Sequence, residues 1–108
     1  MSVAKRQSLA LTCGANRITQ GVRALGITPY AAAEGESVEI VARYPDGTTV
    51  PLCVVPRYRS EYALTYEFRT PVRLRRGTVV DVRSSARGCS AVLDVIAQPA
   101  RRADARGQ

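Results

Sequence analysis

Three sets of residues in this chain have types and spacings that could do chemistry. They are the cysteines Cys13, Cys53 and Cys89, the carboxylates Glu34/Glu36 and Glu61/Glu67, and a run of tyrosines and arginines from Arg57 to Arg69. Thiolates bind soft metals and attack electrophiles, but no CxxC spacing occurs, so neither a zinc ribbon nor a thioredoxin-type pair is encoded. The chain contains no histidine, which excludes a Cys/His nucleophile outright. The three thiols therefore read either as one disulfide plus one buried thiol or as three buried thiols. Glu34 and Glu36 flank Gly35 in a loop, and Glu61 and Glu67 fall on the polar face of an alternating segment. Both pairs read as solvated carboxylates rather than an acid/base pair. The eight glycines are scattered at turns instead of clustered before a helix, so no phosphate-cradling loop is present.

Binding is better represented than catalysis. Tyr58, Tyr62, Tyr66 and Phe68 are interleaved with Arg57, Arg59 and Arg69, and Tyr and Arg both combine apolar area with a polar handle at interface hot spots. The same series could stack bases of a single-stranded nucleic acid. In the competing reading Tyr62, Tyr66 and Phe68 face the core, leaving Arg57, Tyr58 and Arg59 accessible. The net charge of +7 comes from fifteen Arg and one Lys against nine acids. It favours anionic partners, although an arginine-rich coding bias gives the same count. Arginines cluster at Arg73, Arg75 and Arg76 and again at Arg101, Arg102 and Arg106.

The elements that must position these residues are strands. Ser37 to Tyr44 alternates Val38, Ile40, Ala42 and Tyr44 against Glu39, Val41 and Arg43, the period of a half-buried strand. Pro45-Asp46-Gly47 supplies turn chemistry, and Thr48 to Val55 returns as a hairpin in which Pro51 implies an edge position or a bulge. Glu61 to Arg69, Thr78 to Arg83 and Ala91 to Ala97 add three strands. Val22 to Thr28 and Leu9 to Cys13 are fainter candidates. No segment has a 3.6-residue apolar period over a helical length. The expectation is an all-β antiparallel sandwich or jelly roll of six to eight strands. Its 108 residues fit one domain over 1–98, followed by a flexible basic tail over 99–108. Large aromatics are few, so the core must be Val, Leu, Ile and Ala. No apolar run is long enough for a signal-peptide core or a membrane span.

From Ile27 onward the order of elements resembles the C-terminal domain of copper type II, ascorbate-dependent monooxygenases of the peptidylglycine hydroxylase type. The resemblance rests on the segment Ile27 to Ser37, the Tyr44-Pro45-Asp46-Gly47 turn, Val55-Pro56-Arg57-Tyr58, Leu64-Thr65-Tyr66, Pro71-Val72-Arg73-Leu74 and Gly77-Thr78. It implies an antiparallel jelly roll of about eight strands, exported and paired with a sister domain. In that family the first segment carries a His-X-His copper-binding pair, and those positions are here Tyr30 and Ala32. The family's methionine ligand near the last strands is replaced by the region Cys89-Ser90-Ala91. Copper chemistry is therefore not carried over, and no cofactor is expected. A different metal held by Tyr30, Cys53 and Cys89 is a further alternative.

The functional expectation is a non-catalytic interaction or scaffold domain, an accessory subunit of a larger assembly, with a membrane-associated assembly as one form of it. Its binding surface would join Arg57, Tyr58 and Arg59 with Arg73, Arg75, Arg76 and the tail residues Arg101 and Arg102. Expected partners are acidic protein surfaces, with anionic membrane headgroups also compatible. The alternatives are a nucleic-acid-binding β-barrel and a cysteine-ligated metal enzyme. The resemblance points to the periplasm or another extracytoplasmic space, whereas the missing signal peptide points to the cytoplasm.

Overall fold

The computed structural model describes residues 6–31, 33–62, 65–85 and 88–97. Its strands are β1 (Arg6–Thr12), β2 (Gly14–Arg17), β3 (Val22–Ala31), β4 (Val38–Arg43), β5 (Thr49–Val55), β6 (Tyr66–Leu74), β7 (Val79–Ser84) and β8 (Cys89–Ala97), with one 3-10 turn at Ser60–Tyr62. They form two four-stranded sheets, ordered β1-β8-β3-β6 and β2-β7-β4-β5, and every pairing is antiparallel. The chain crosses between sheets at every connection except the β4–β5 hairpin. This is the eight-stranded jelly-roll form of a β-sandwich.

The period-two pattern explains which faces meet. Val38, Ile40 and Ala42 of β4 are fully buried, as are Val80 and Val82 of β7 within about 1% exposure. They face Ala24 and Ile27 of β3, Leu74 of β6, and Ala91, Leu93 and Val95 of β8. This interior is aliphatic, as the scarcity of large aromatics requires, and β-branched side chains suit the pleated surface. Pro51 stands on β5, an edge strand. The ladder pairs Ile40 with Cys53 but Val41 with Pro51, so Leu52 is an extra residue and both Leu52 and Cys53 turn inward. Edge position and bulge together accommodate the proline.

A second bulge sits at Leu25, between Ala24↔Val95 and Gly26↔Asp94. At Gly26 the backbones of β3 and β6 come so close that a Cβ would lie 3.0 Å from the Tyr66 carbonyl oxygen. The β4–β5 turn closes through Gly47 N–H to the Tyr44 carbonyl at 2.9 Å and Tyr44 N–H to the Thr48 carbonyl at 2.8 Å. Gly47 supplies the positive φ of 95° that this turn demands.

Two expectations need correction. Glu61 to Arg69 is not one strand: Ser60–Tyr62 forms a 3-10 turn and β6 begins at Tyr66. Of the expected stripe, Tyr66 is 42% exposed and Phe68 only partly buried, while Leu64 lies outside the described residues. Strand β2 has no counterpart in the sequence reading. Its four residues, Gly14–Arg17, are too short and too polar to show a period.

Candidate functional site

The register defines two ends of the sandwich. Ala31 pairs with Cys89, Val38 with both Val55 and Ser84, and Thr12 with Ser90 at one end. Arg17 with Val79, Arg43 with Thr49, Val22 with Leu74 and Arg6 with Ile96 mark the other. Arg57 and Arg59 lie in the β5–β6 connection at the first end, whereas Arg73, Arg75 and Arg76 lie at the β6–β7 turn at the second. The single surface expected to combine them is therefore two surfaces. Arg101 and Arg102, with the rest of the tail, lie outside the described residues.

The first end is stapled. A disulfide joins Cys13, in the β1–β2 corner, to Cys89, with the Cα atoms 4.8 Å apart. The adjacent pair Thr12↔Ser90 brings these two positions together at the end of the ladder. Cys53 remains a buried free thiol, and burial pushes its pKa up. Of the two cysteine readings, the disulfide plus one buried thiol is the one observed. It also removes the proposed metal set: Cys89 has no free thiolate, Tyr30 is 39% exposed, and Cys53 faces inward from the opposite sheet. Ala32, the other replaced ligand position, lies outside the described residues. Among the described residues no three His, Cys, Asp or Glu side chains converge as a metal site.

Tyr58 is 7% exposed and belongs to the core. Its N–H donates to the Glu36 carbonyl at 2.7 Å, and Gly35 N–H donates to the Tyr58 carbonyl at 2.7 Å. The backbone exchange pulls Tyr58 inward and leaves only Arg57 and Arg59 of that trio on the surface. Beside them, Ser60 binds Glu34 through its hydroxyl at 2.6 Å and its N–H at 3.0 Å. These bonds, side chain first, hold the Glu34 carboxyl below its ordinary pKa, and the Arg59 charge adds to the effect. Exposed Glu34 and Glu61 and half-buried Glu36 offset the two arginines here.

The second end is cationic. Ile18 N–H donates to the Thr78 carbonyl and Gly77 N–H to the Ile18 carbonyl, both at 2.8 Å, while the Tyr44 hydroxyl donates to the Arg73 carbonyl at 3.0 Å. These bonds gather the β2–β3, β4–β5 and β6–β7 turns into one rim. Arg73 and Arg75 open on a cavity of about 460 Å³ with Tyr44 and Thr48. Arg17 and Arg76 line a second, of about 230 Å³, with Ile18, Thr19 and Gly77. The only carboxylate in these turns, Asp46, is occupied: it accepts from Thr48 Oγ1 and from Thr48 N–H at 2.9 Å. Its pKa is lowered by those two bonds first and by Arg75 at longer range.

The register adds an arginine that no single segment revealed. Arg23 of β3 pairs directly with Arg73 of β6, and both are exposed. Like charges directly opposite each other destabilise a sheet. The ion pairs among the described residues go elsewhere: Arg6 to Asp94 at 3.7 Å, and Arg43 and Arg83 to Asp81 at 3.4 and 3.0 Å. Neither Arg23 nor Arg73 has one among the described residues. Arg17 was also missed, since its strand was.

These features define a disulfide-stapled, antiparallel jelly roll with a cationic end. No protein-family model, curated protein or solved structure matches the chain.

Proposed function

We propose that this chain is a non-catalytic interaction domain that docks an acidic protein surface on its cationic end, as an accessory subunit of a larger assembly. The observation that carries this reading is the Arg23–Arg73 pair. Two guanidinium groups placed opposite each other, with no acid paired to either among the described residues, oppose folding of the free domain, and an anionic partner converts that repulsion into attraction. Arg75, Arg76 and Arg17 extend the field around the same rim, where it steers an acidic partner and suppresses basic ones. Arg57 and Arg59, interspersed with glutamates at the far end, belong to no such field.

The proposed resemblance to the copper monooxygenase C-terminal domain rests on the sequence segments alone, with Tyr30 where an imidazole would be needed. A chain without histidine and with one free thiol, inward-facing and raised in pKa, has little with which to rebuild that chemistry. The disulfide supports an oxidising, extracytoplasmic compartment.

The test is affinity purification of the tagged protein from its native source, beside an Arg73→Glu/Arg75→Glu variant. A defined protein complex recovered by the parent and lost by the variant supports the reading. Equal recovery by both refutes the assignment of the surface. Nucleic acid recovered instead, and released by moderate salt, would place the β-barrel alternative first.

A further inference from the structure

Among the described residues, β1 pairs only with β8 and β2 only with β7, so these two edges lie open on one side of the sandwich as β6 and β5 do on the other. Between these edges lies a cleft of about 520 Å³, within the ~300–1,000 Å³ of ligand-sized clefts. Leu9, Leu11, Ile18 and Val22 supply its apolar walls. Asn16 stiffens the corner: its side-chain amide donates to the carbonyls of Thr12 at 2.8 Å and Val80 at 3.1 Å, and its Oδ1 accepts from Thr12 N–H at 2.9 Å. Gln7, Thr19 and Gln20 add polar groups to its lining, and Arg17 lines both this cleft and the smaller cavity it shares with Arg76, so the cleft opens directly into the cationic end.

We propose that this cleft takes an extended, acidic-tipped peptide segment of the partner protein, added as a strand to the β1–β2 edges. Deepening the interaction reading above, the proposal names the kind of partner and how it is held. An open strand edge offers a row of backbone donors and acceptors that an incoming strand satisfies, while pockets for alternate side chains give specificity. Every second side chain of the segment is apolar and enters between Leu9, Leu11, Ile18 and Val22. The end carrying carboxylates meets Arg17 and Arg76. Charge selects this occupant over the chain's own flanks or a second copy: Lys5, Arg101, Arg102 and Arg106 would bring the same sign to Arg17, and a second copy brings +7.

The experiment uses the full chain and three fluorescein-labelled peptides, read by anisotropy. One alternates Val and Thr and ends in two Asp residues. The second ends in two Lys residues, and the third is the Asp peptide with alternate backbone nitrogens methylated. The Asp peptide should bind saturably, with affinity falling at least about tenfold for the Lys peptide, the methylated peptide and the Arg17→Glu variant. Its binding should perturb amide resonances of β1 and β2. Arg17 is exposed, so its replacement leaves the core untouched. The proposal is overturned if the methylated peptide binds as well as its parent, if the shifts map to β5 or β6, or if no binding appears at about 1 mM. Self-association through these edges, seen by sedimentation, overturns it too. If the peptide fails while Arg73→Glu/Arg75→Glu still abolishes recovery of the partner, only the cleft assignment falls and the cationic end stands.

Discussion

Breaking the Cys13–Cys89 disulfide should cost this domain a large part of its stability. The bridge spans a sequence separation of 76 residues. In the chain-entropy treatment, a loop of that length restricts the unfolded ensemble by about 15 cal/mol/K, or about 4.5 kcal/mol at 25 °C. Measured effects for native bridges run at about 2–5 kcal/mol, against a total of about 5–15 kcal/mol for an ordinary domain. Cys13 is exposed and Cys89 is 7% exposed, so Cys13→Ala/Cys89→Ala opens only a small cavity and the loss is mostly that of the crosslink. Urea unfolding followed by circular dichroism, with and without reductant, should give a midpoint lowered by the equivalent of about 3–4 kcal/mol, and the double variant should match the reduced parent. Cys53→Ala in the oxidised protein separates the crosslink from the remaining thiol. Coincident oxidised and reduced unfolding curves would refute the reasoning, as would peptide mapping that links either cysteine to Cys53.

Three further outcomes follow from particular contacts. Arg23→Gln should stabilise the isolated domain by a few tenths of a kcal/mol, about 0.2–1 by the usual scale of cross-strand pairs, because it removes like charges facing each other; denaturant midpoints at low and high salt check this, and a gain that persists in high salt would contradict it. Gly26→Ala should destabilise by about 1–3 kcal/mol, since the new methyl group lies 3.0 Å from the Tyr66 carbonyl and can be relieved only by separating β3 from β6; a thermal scan that shows no loss would mean that β6 shifts freely. Glu34 is depressed in the folded state by its bonds to Ser60, so its contribution is present above the ordinary carboxylate range and lost as pH falls through the lowered value. The protection of the Ser60 amide against hydrogen exchange, relative to its intrinsic rate at each pH, should therefore fall selectively in acid, and Glu34→Gln should flatten that response.

The framework was legible where periodicity is strong. Val38, Ile40 and Ala42 announce a core-facing strand, Asp46-Gly47 a tight turn, and Pro51 an edge, because each depends on the residue's own backbone and its immediate neighbours. Interactions between segments were not legible. Tyr58 looked like a surface aromatic between two arginines, yet its backbone exchanges hydrogen bonds with Gly35 and Glu36, more than twenty residues upstream. That bonding draws its side chain into the core. Arg57 and Arg73 were expected on one basic surface, yet Arg57 precedes β6 and Arg73 lies near its far end. A strand carries its two ends to opposite poles, and β6 separates them.

The opposition of Arg23 and Arg73 shows why charge had to be read through the fold. The arginine excess alone is equally compatible with coding bias and with recognition, since both raise the same count. Register adds what the count lacks: Arg43 and Arg83 share Asp81, whereas Arg23 and Arg73 are set against each other with Arg75 and Arg76 beyond them, and this arrangement motivates the recognition proposal. At the other pole, Arg57 and Arg59 stand among glutamates. Among the described residues, Arg17, Arg23, Arg73, Arg75 and Arg76 gather at one end of the sandwich, and it is this end that the proposed acidic partner would meet.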